Sequence, residues 1–288
     1  LETFSLNSDG AAVKTELLPM TITSCLLDAA CVTDAQVPLV SLMKRSTAHM
    51  QYIVNGNGFI CTGNLVTNSA HDFTPYFLTA NHCISSQSVA GTLEAFWDYI
   101  DSTCLGSAPP LGSLPRSTGS TLLATGAASD FTLLRLNSIP SGRGFLGWNS
   151  TAAATAPGTL LRRLHHPLGS PMSYSDTVSW TPSTVCSSLP TANFLYSDPS
   201  PELAHGVVMG GSSGSSVILA NGQLVGQLLG WCGPNFDEPC LAANQDSTVD
   251  GRFRSTYPSV AQFLNPSTGS GPCVQNATTL CLLGNRFE

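Results

Sequence analysis

The feature that most limits what this chain can fold into is a loop of small residues, Gly-Gly-Ser-Ser-Gly-Ser, at positions 210–215. Glycines allow the backbone to come close to a bound molecule, and they leave amide N–H groups free to point at a developing negative charge. On its own, a loop of this composition is equally typical of a flexible linker. Its interpretation therefore depends on the rest of the chain.

Two upstream segments give this loop a chemical meaning. Residues 77–83, Phe-Leu-Thr-Ala-Asn-His-Cys, include His82 at the end of a strand-like run, and Asp130 directly precedes an apolar run. The order histidine, aspartate, serine is that of a nucleophilic triad. Ser213 would be the nucleophile, His82 its base, and Asp130 the group that orients the imidazole. The backbone N–H groups of Gly211 and Ser213 would then form an oxyanion hole.

Each of these residues also has a purely structural interpretation. A histidine beside a cysteine is usually structural, an aspartate before a strand is usually a turn residue, and a Gly-Ser loop is usually only a loop. The three together, in this order and each at the edge of a strand, favour the triad. Asp98 and Asp101 are the alternative candidates for the acid.

Composition limits the class of protein and its partners. Apolar residues make up 42% of the 288 residues and charged residues only 10%, which indicates a packed, loop-rich β protein. The net charge is −7 and no run of Lys or Arg occurs, so neither nucleic acid nor an anionic membrane is an expected partner. No apolar run reaches the ~18 residues that are needed to cross a bilayer.

Ten cysteines indicate an oxidising compartment and several disulfides. A metal site is disfavoured because the sequence has no Cys-x-x-Cys pair and its cysteines are widely dispersed. We therefore expect no metal and no cofactor. Residue 1 does not begin a signal peptide, so the sequence is expected to be that of a mature, secreted, extracellular protein.

Strand-like runs and turn signals are spread over the whole chain, and no βαβ alternation occurs. Asn55-Gly56 and Asn221-Gly222 predict tight hairpins. Residues 102–126 are predicted to form surface loops, and Pro258 is expected to begin a helix that ends at Leu264. The predicted strands are residues 50–54, 58–62, 65–67, 77–80, 93–99, 131–136, 159–164, 173–180, 206–209, 216–219, 224–229 and 251–255.

The simplest architecture is all-β, with two antiparallel six-stranded β-barrels and a short C-terminal helix. The expected division is an N-terminal arm at 1–20, a first barrel at 21–140, a second barrel at 141–257, and a helix and tail at 258–288. The first barrel would carry His82 and Asp130, and the second would carry Ser213.

The same motifs carry a family resemblance. The chain resembles the chymotrypsin-like serine proteases, and most closely the secreted bacterial lysyl endopeptidases. The resemblance implies a secreted serine endopeptidase, with His165 and His166 as structural residues and a metal role for them as the alternative. The matching stretches are residues 61–66, 76–83, 129–137, 165–167, 211–215 and 224–228.

The resemblance also implies disulfide pairings. Cys61 would pair with Cys83 under the histidine, and Cys31 with Cys104. Cys25 would pair with either Cys240 or Cys232, and Cys186 would take Cys232 if Cys25 takes Cys240. Cys273 and Cys281 lie beyond the matching stretches and are expected to pair locally, because they are close in sequence.

Two departures from the family pattern bear on activation and specificity. Ser212 stands where many chymotrypsin relatives have an aspartate that captures a new N-terminus, so this form of activation is not expected. Thr248 stands where lysine-specific relatives have an acid. Because a buried cation needs a partner carboxylate, a neutral or apolar residue is expected before the scissile bond. The expected substrate-binding residues are Val207, Val208, Leu228, Leu229, Gly230 and Thr248.

The sequence leaves several alternatives open. Asp246 or Asp250 could supply a displaced pocket acid and give a lysyl or arginyl endopeptidase. An inactive homologue could serve as a binding module, and the same triad could support an esterase or another acyl transferase. The leading expectation is a monomeric enzyme that acts on peptide or protein substrates.

Overall fold

A computed structural model of the chain consists mainly of antiparallel β-strands. The part of the chain that the structure describes comprises residues 3–6, 12–13, 25–183, 186, 189–199, 207–233, 247–264, 269–275 and 280–281. Cys240, a possible partner of Cys25, and Asp246, a possible pocket acid, lie outside it.

Most elements are short strands, and three described segments are α-helical. The helices are α1 (Val40–Ser46), α2 (Gln87–Ala90) and α3 (Phe253–Leu264). In chain order the strands are β1 (Thr3–Leu6), β2 (Ala12–Val13), β3 (Leu27–Asp28), β4 (Thr47–Val54), β5 (Asn57–Val66), β6 (Tyr76–Ala80), β7 (Glu94–Trp97), β8 (Arg116–Thr118), β9 (Ser120–Gly126), β10 (Phe131–Leu136), β11 (Gly144–Phe145), β12 (Gly147–Asn149), β13 (Leu160–His165), β14 (Ser173–Trp180), β15 (Phe194–Pro199), β16 (Ser216–Ile218), β17 (Gln223–Cys232), β18 (Ser247–Arg252), β19 (Gly269–Ser270), β20 (Cys273–Val274) and β21 (Leu280–Cys281).

The first sheet has the strand order β8-β7-β4-β5-β6-β10-β9. The hairpin between β4 and β5 turns at Asn55 and Gly56, whose φ angles of 51° and 81° match the turn that the Asn-Gly pair predicted. The outermost strands, β8 and β9, are separated in the chain only by Gly119. The sheet therefore curls until its two edge strands, β8 and β9, lie next to each other in the chain. They are joined by Gly119 and not by a ladder of hydrogen bonds among the described residues.

The second sheet contains a closed ring of six strands in the order β16-β13-β14-β15-β18-β17, which a β16–β17 pairing completes. Leu161, Leu195, Val217 and Val225 form a hydrophobic cluster in this ring. The all-β, chymotrypsin-like expectation is confirmed, with one closed six-stranded barrel and one curled sheet in place of two closed barrels. Two of the described contacts are parallel: the pairing of β12 with β17 and the isolated bridge between Val66 and Leu146.

A large hydrophobic cluster joins the two sheets. It contains Leu78 and Phe131 of the first sheet, Leu164 of the second, and Trp148 of β12. Helix α3 adds Phe253, Val260 and Leu264, which are buried on one face at helical spacing. The packing of both sheets against this shared core fixes the position of the loops that lead into β10 and β16.

The structure corrects several predicted boundaries. The segment 102–126 contains β8 and β9. Residues 58–62 and 65–66 belong to one continuous strand, β5, which ends before Thr67. Residues 207–209 are not a strand. Helix α3 begins at Phe253, within the predicted strand 251–255, and Pro258 lies inside it. Its buried residues at helical spacing hold this helix against the core, which overrides the preference of proline for a helix start.

Candidate active site

His82 and Asp130 are brought together by the pairing of β6 with β10. The register sets Phe131 opposite Ala80, so the residues just outside the ladder, Asn81 and Asp130, also lie side by side. Asn81 N donates to Asp130 O at 3.1 Å. Asp130 has a left-handed backbone, with φ at 50°, and its side chain points to His82, the residue after Asn81.

The Asp130 carboxylate binds His82 through both of its oxygens. Oδ2 lies 2.7 Å from His82 Nδ1, and Oδ1 accepts from the His82 backbone N–H at 2.9 Å. The carboxylate is almost fully buried, whereas the imidazole is partly exposed. A carboxylate at Nδ1 keeps the proton on that nitrogen, so Nε2 is left as a proton acceptor.

The loop that carries Ser213 packs against the strands that lead to His82. Thr62 N of β5 donates to Ser213 O at 2.8 Å, and Gly214 N donates to Leu228 O of β17 at 2.9 Å. Gly214 has φ at +81°, and a Cβ at this position would collide with Thr79 Oγ1 and lie 2.8 Å from Ala80 N. Only glycine permits this close approach, which places Ser213 beside the end of β6.

Gly211 has an equally restricted backbone. Its φ is +86°, and a Cβ would lie 2.7 Å from His166 O. Within the described part of the chain, the N–H groups of Gly211 and Ser213 donate to no acceptor. Two unused amides next to a partly exposed serine hydroxyl are what an oxyanion hole requires.

A disulfide lies directly beneath the candidate base. Cys61 and Cys83 are bonded, and their sulfurs are within 4.8 Å of a His82 ring nitrogen. Because the two sulfurs are bonded to each other, they are not thiolate ligands for a metal at this place. Cys31–Cys104 and Cys186–Cys232 are also bonded, and Cys273 lies opposite Cys281 in the β20–β21 register. Cys61–Cys83 and Cys31–Cys104 are pairs that the resemblance implied, and Cys186–Cys232 is the pair that it implied if Cys25 takes Cys240. The register of Cys273 and Cys281 is consistent with the local pairing that was expected from their closeness in sequence.

We expect the variant Cys61→Ala/Cys83→Ala to lose about 3 kcal/mol of stability, because the bond closes a loop of 22 residues. Denaturant unfolding of this variant and of Cys186→Ala/Cys232→Ala gives the measurement and its control. The first variant should also lose activity at a temperature where it is still folded, since the bond holds the His82 segment. A loss of less than roughly 1 kcal/mol would contradict the role of this bond.

The adjacent histidines, His165 and His166, are fully buried and lie behind the loop. Burial lowers the pKa of His166 to about 4 and the pKa of His165 well below its usual value, so both imidazoles are neutral. His165 Nδ1 lies 2.8 Å from Ser212 Oγ, and His166 Nδ1 lies 3.1 Å from Ser170 O. The Nδ1 atoms of the two imidazoles therefore bind different residues of the protein itself, and the buried Nε2 of each has no hydrogen-bond partner among the described residues.

Of the residues expected to bind the substrate side chain, Leu228, Leu229 and Gly230 belong to β17 and Thr248 belongs to β18. Val208 and Leu228 are buried, and Val207, Leu229 and Gly230 are partly exposed. Thr248 Oγ1 is hydrogen-bonded to Ser197, at 2.6 Å from its Oγ and 3.1 Å from its carbonyl oxygen. No described residue of this set carries a charge.

Asp250, the alternative pocket acid, already has a cationic partner. Its Oδ1 accepts from Arg163 Nη2 at 2.7 Å, and both side chains are almost completely buried. Burial raises the pKa of Asp250, and the adjacent guanidinium opposes this shift. The alternative catalytic acid Asp98 is likewise occupied, because both of its oxygens accept from Arg143, at 2.9 and 2.8 Å.

Sequence comparison assigns this arrangement to a known family. Residues 21–239 match the family described as lysyl endopeptidase, C-terminal domain. The chain belongs to this family. A relative, the lysyl endopeptidase of Pseudomonas aeruginosa, is 31% identical over 253 residues. The aligned region covers 84% of this chain and 52% of that protein, so the chain spans about half the length of this relative.

Solved structures support the fold of this lysyl endopeptidase family member. The Rv3671c protease of M. tuberculosis, in its active form, has a TM-score of 0.51 at 13% identity, covering 87% of this chain and 95% of that chain. The HtrA-type protease AlgW, solved with a tripeptide, has a TM-score of 0.54 at 13% identity, covering 78% and 62%. The family is that of the lysyl endopeptidases, and the fold is the one that these solved proteases share.

The family match ends before the strand that carries Thr248 and Asp250. It includes His82, Asp130 and Ser213, whereas β18 begins at Ser247. The pocket of this lysyl endopeptidase family member therefore has to be judged from its own residues. Among the described helices, none is long and apolar enough to cross a membrane.

Sequence reasoning missed the residues that support the site from the second sheet. Arg163 contacts both Asp250 and Ser215, and Gln227 Nε2 donates to Ser129 O at 2.6 Å and to Asp130 O at 3.3 Å. The available signal was a pair of arginines, Arg162 and Arg163, between the leucines of the predicted strand 159–164, since a charge that faces the core needs a buried partner.

Proposed function

We propose that this chain is a serine endopeptidase that cleaves peptide bonds through an acyl-enzyme, with Ser213 as nucleophile, His82 as base and Asp130 as the orienting acid. The observation that carries the proposal is the His82–Asp130 contact, two hydrogen bonds of 2.7 and 2.9 Å next to the loop of Ser213. Family membership supports the same reaction class.

The residues would act in two half-reactions. Ser213 Oγ attacks the carbonyl carbon of the substrate while His82 Nε2 takes the hydroxyl proton, and the peptide nitrogen then leaves with that proton. A water molecule attacks the resulting ester, again through His82, and releases the acid product and the free serine. Asp130 stabilises the imidazolium in both steps and is not itself protonated.

The N–H groups of Gly211 and Ser213 would stabilise the tetrahedral intermediate. Both are free of described acceptors, and the left-handed backbone of Gly211 fixes the direction of the loop at that point. Losing one such donor typically costs about 2.7–4 kcal/mol of transition-state stabilisation.

We further propose that the residue before the scissile bond is neutral, small to medium in size and apolar. Val207, Val208 and Leu229 offer aliphatic surface, and the hydroxyl of Thr248 is held by Ser197. Asp250 is neutralised by Arg163, so it is a poor partner for a substrate cation. A lysine side chain without a carboxylate partner would be bound at a cost of several kcal/mol.

Matched peptide substrates with Ala, Val, Leu, Phe, Lys or Arg before the scissile bond test this specificity. We expect kcat/KM for the Val or Leu substrate to exceed that for the Lys substrate by about 10²-fold, the factor that a few kcal/mol produces. The variant Thr248→Asp should raise kcat/KM for the Lys substrate selectively. A preference above tenfold for Lys or Arg in the unmodified protein would contradict the neutral pocket and favour a displaced acid at Asp246 or Asp250.

The setting proposed for this reaction is extracellular. The three described disulfides are typical of secreted proteins. Peptides or proteins are the proposed substrates, and a monomer is the proposed state. Size-exclusion chromatography with light scattering tests the oligomeric state of the oxidised protein.

A further inference from the structure

We propose that strand β13 braces the loop that carries the nucleophile, and that Arg163 and His165 are positioning residues for catalysis. This inference rests on the proposed function. Alternation along β13 sets the two side chains on the same face of the strand. Arg163 reaches Ser215 and His165 reaches Ser212, so the two residues contact the loop on either side of Ser213 and Gly214.

The Arg163 contact is charge-assisted and double. Nη1 donates to Ser215 O at 2.8 Å and to Ser215 Oγ at 3.1 Å, while Nη2 donates to Asp250 Oδ1 at 2.7 Å. Hydrogen bonds from a charged donor are about twice as strong as neutral ones, and the planar guanidinium fixes the directions of both contacts. The end of the nucleophile loop is thereby held at a fixed position relative to β18.

Stability alone is a weak reason for this ion pair. Two charges that are 2% and 0% exposed pay a large desolvation penalty, and apolar residues of similar volume are often neutral or stabilising in their place. The geometry points instead to positional precision, because the guanidinium connects β13, β18 and the loop in one rigid group.

His165 holds the other end of the loop without a charge. Ser212 Oγ lies 2.8 Å from His165 Nδ1 and accepts from Met209 N at 3.2 Å, and Ser215 N donates to Ser212 O at 3.1 Å. Many chymotrypsin relatives have an aspartate at the position of Ser212, and that aspartate captures the ammonium group of a new N-terminus. Here a neutral, fully buried imidazole holds the position instead, so no cleaved chain end is needed. The amides of Gly211 and Ser213 are therefore kept aimed by bonds within the domain itself.

The brace would affect the transition state more than the bound substrate. The two amides meet a full negative charge only in the tetrahedral intermediate, and a misplacement of about 1 Å is enough to lower a rate by about 10²-fold. Loss of an interaction made only in the transition state lowers kcat and kcat/KM equally and leaves KM unchanged. A purely structural residue has no reason to produce that pattern in a folded variant.

The test is the variant Arg163→Met/Asp250→Leu, which removes both buried charges together. We expect the free energy of unfolding to be unchanged or higher, kcat to fall by about 10²-fold, and KM to stay within about twofold. Binding of a peptide aldehyde, whose adduct with Ser213 carries the oxyanion, should weaken by the same factor, whereas binding of the product peptide should not change. The matched control is Arg116→Gln/Glu94→Gln, which removes an exposed ion pair of 3.8 Å.

Two single variants keep the proposal testable if the double variant does not fold. Arg163→Lys keeps the charge but loses the planar guanidinium, which binds Ser215 and Asp250 at the same time. Its kcat should be higher than that of the double variant and about tenfold below that of the unmodified protein. Ser212→Ala should lower kcat by a similar factor at constant KM. If the double variant folds, or if Arg163→Lys and Ser212→Ala are the ones that fold, a kcat within threefold of the unmodified protein would show that β13 does not position the nucleophile loop. If the unmodified protein and Ser213→Ala are equally inert, the proposed function itself is wrong.

Discussion

Replacing Ser213 with alanine should reduce peptide hydrolysis by about 10⁶-fold, the effect of removing the nucleophile from a serine protease triad. The physical reason is that no other group can form the acyl-enzyme. Ser213 donates no described backbone hydrogen bond, and the bond from Thr62 N to its carbonyl oxygen does not involve the side chain. The variant should therefore fold as the unmodified protein does.

Progress curves on the best peptide substrate measure this effect, and thermal unfolding verifies the fold. Ser259→Ala is a suitable control, because Ser259 is exposed on helix α3 and alanine favours a helix. Its activity should equal that of the unmodified protein. Hydrolysis by Ser213→Ala within tenfold of the unmodified protein would rule out Ser213 as the nucleophile.

Asp130→Asn should lower kcat by about 10⁴-fold, as a change of imidazole tautomer does in such a triad. Both oxygens of Asp130 accept hydrogen bonds, one from His82 N and one from His82 Nδ1. An asparagine offers one acceptor and one NH₂ group, so it satisfies only one of these donors. If the oxygen keeps the backbone N–H, the amide NH₂ faces Nδ1, which must then become an acceptor, and Nε2 carries the proton and is no longer a base.

The matched control for this prediction is Asp98→Asn. Asp98 directly follows β7 and binds Arg143 rather than His82, so its replacement should leave kcat nearly unchanged. Steady-state kinetics over a range of pH compare the two variants. A large loss of kcat in Asp98→Asn, with Asp130→Asn nearly unaffected, would show that the acid had been misassigned.

The sequence predicted the elements that have strong local signals. Residues 131–136 and 173–180 were predicted as strands with the bounds that β10 and β14 have, because apolar or alternating residues fill them without interruption. The Asn55-Gly56 hairpin was predicted for a similar reason, since few other pairs tolerate two positive φ angles. At Asn221-Gly222 only the glycine has a positive φ, and β16 and β17 are joined by the four residues 219–222. The residues proposed for the triad were chosen because each belongs to a recognisable motif near the end of a predicted strand.

Other elements could not be predicted because long-range contacts determine them. Strands β8 and β9 lie in a segment rich in Gly, Ser and Pro, and they form only because β7 and β10 offer edges to pair with. The Arg163–Asp250 pair joins positions 87 residues apart in sequence. No local sequence pattern marks these two residues as partners, so the sequence analysis kept Asp250 as a candidate to bind a substrate cation. In the structure Asp250 binds Arg163.

Reaction with a fluorophosphonate, followed by peptide mass mapping, tests whether Ser213 is an activated nucleophile. We expect one label per molecule, on the peptide that contains Ser213, in the unmodified protein. We also expect labelling that is slowed by orders of magnitude in Asp130→Asn and absent in Ser213→Ala. A protein that hydrolyses peptides yet carries no label at Ser213, or carries it at another residue, would contradict this assignment.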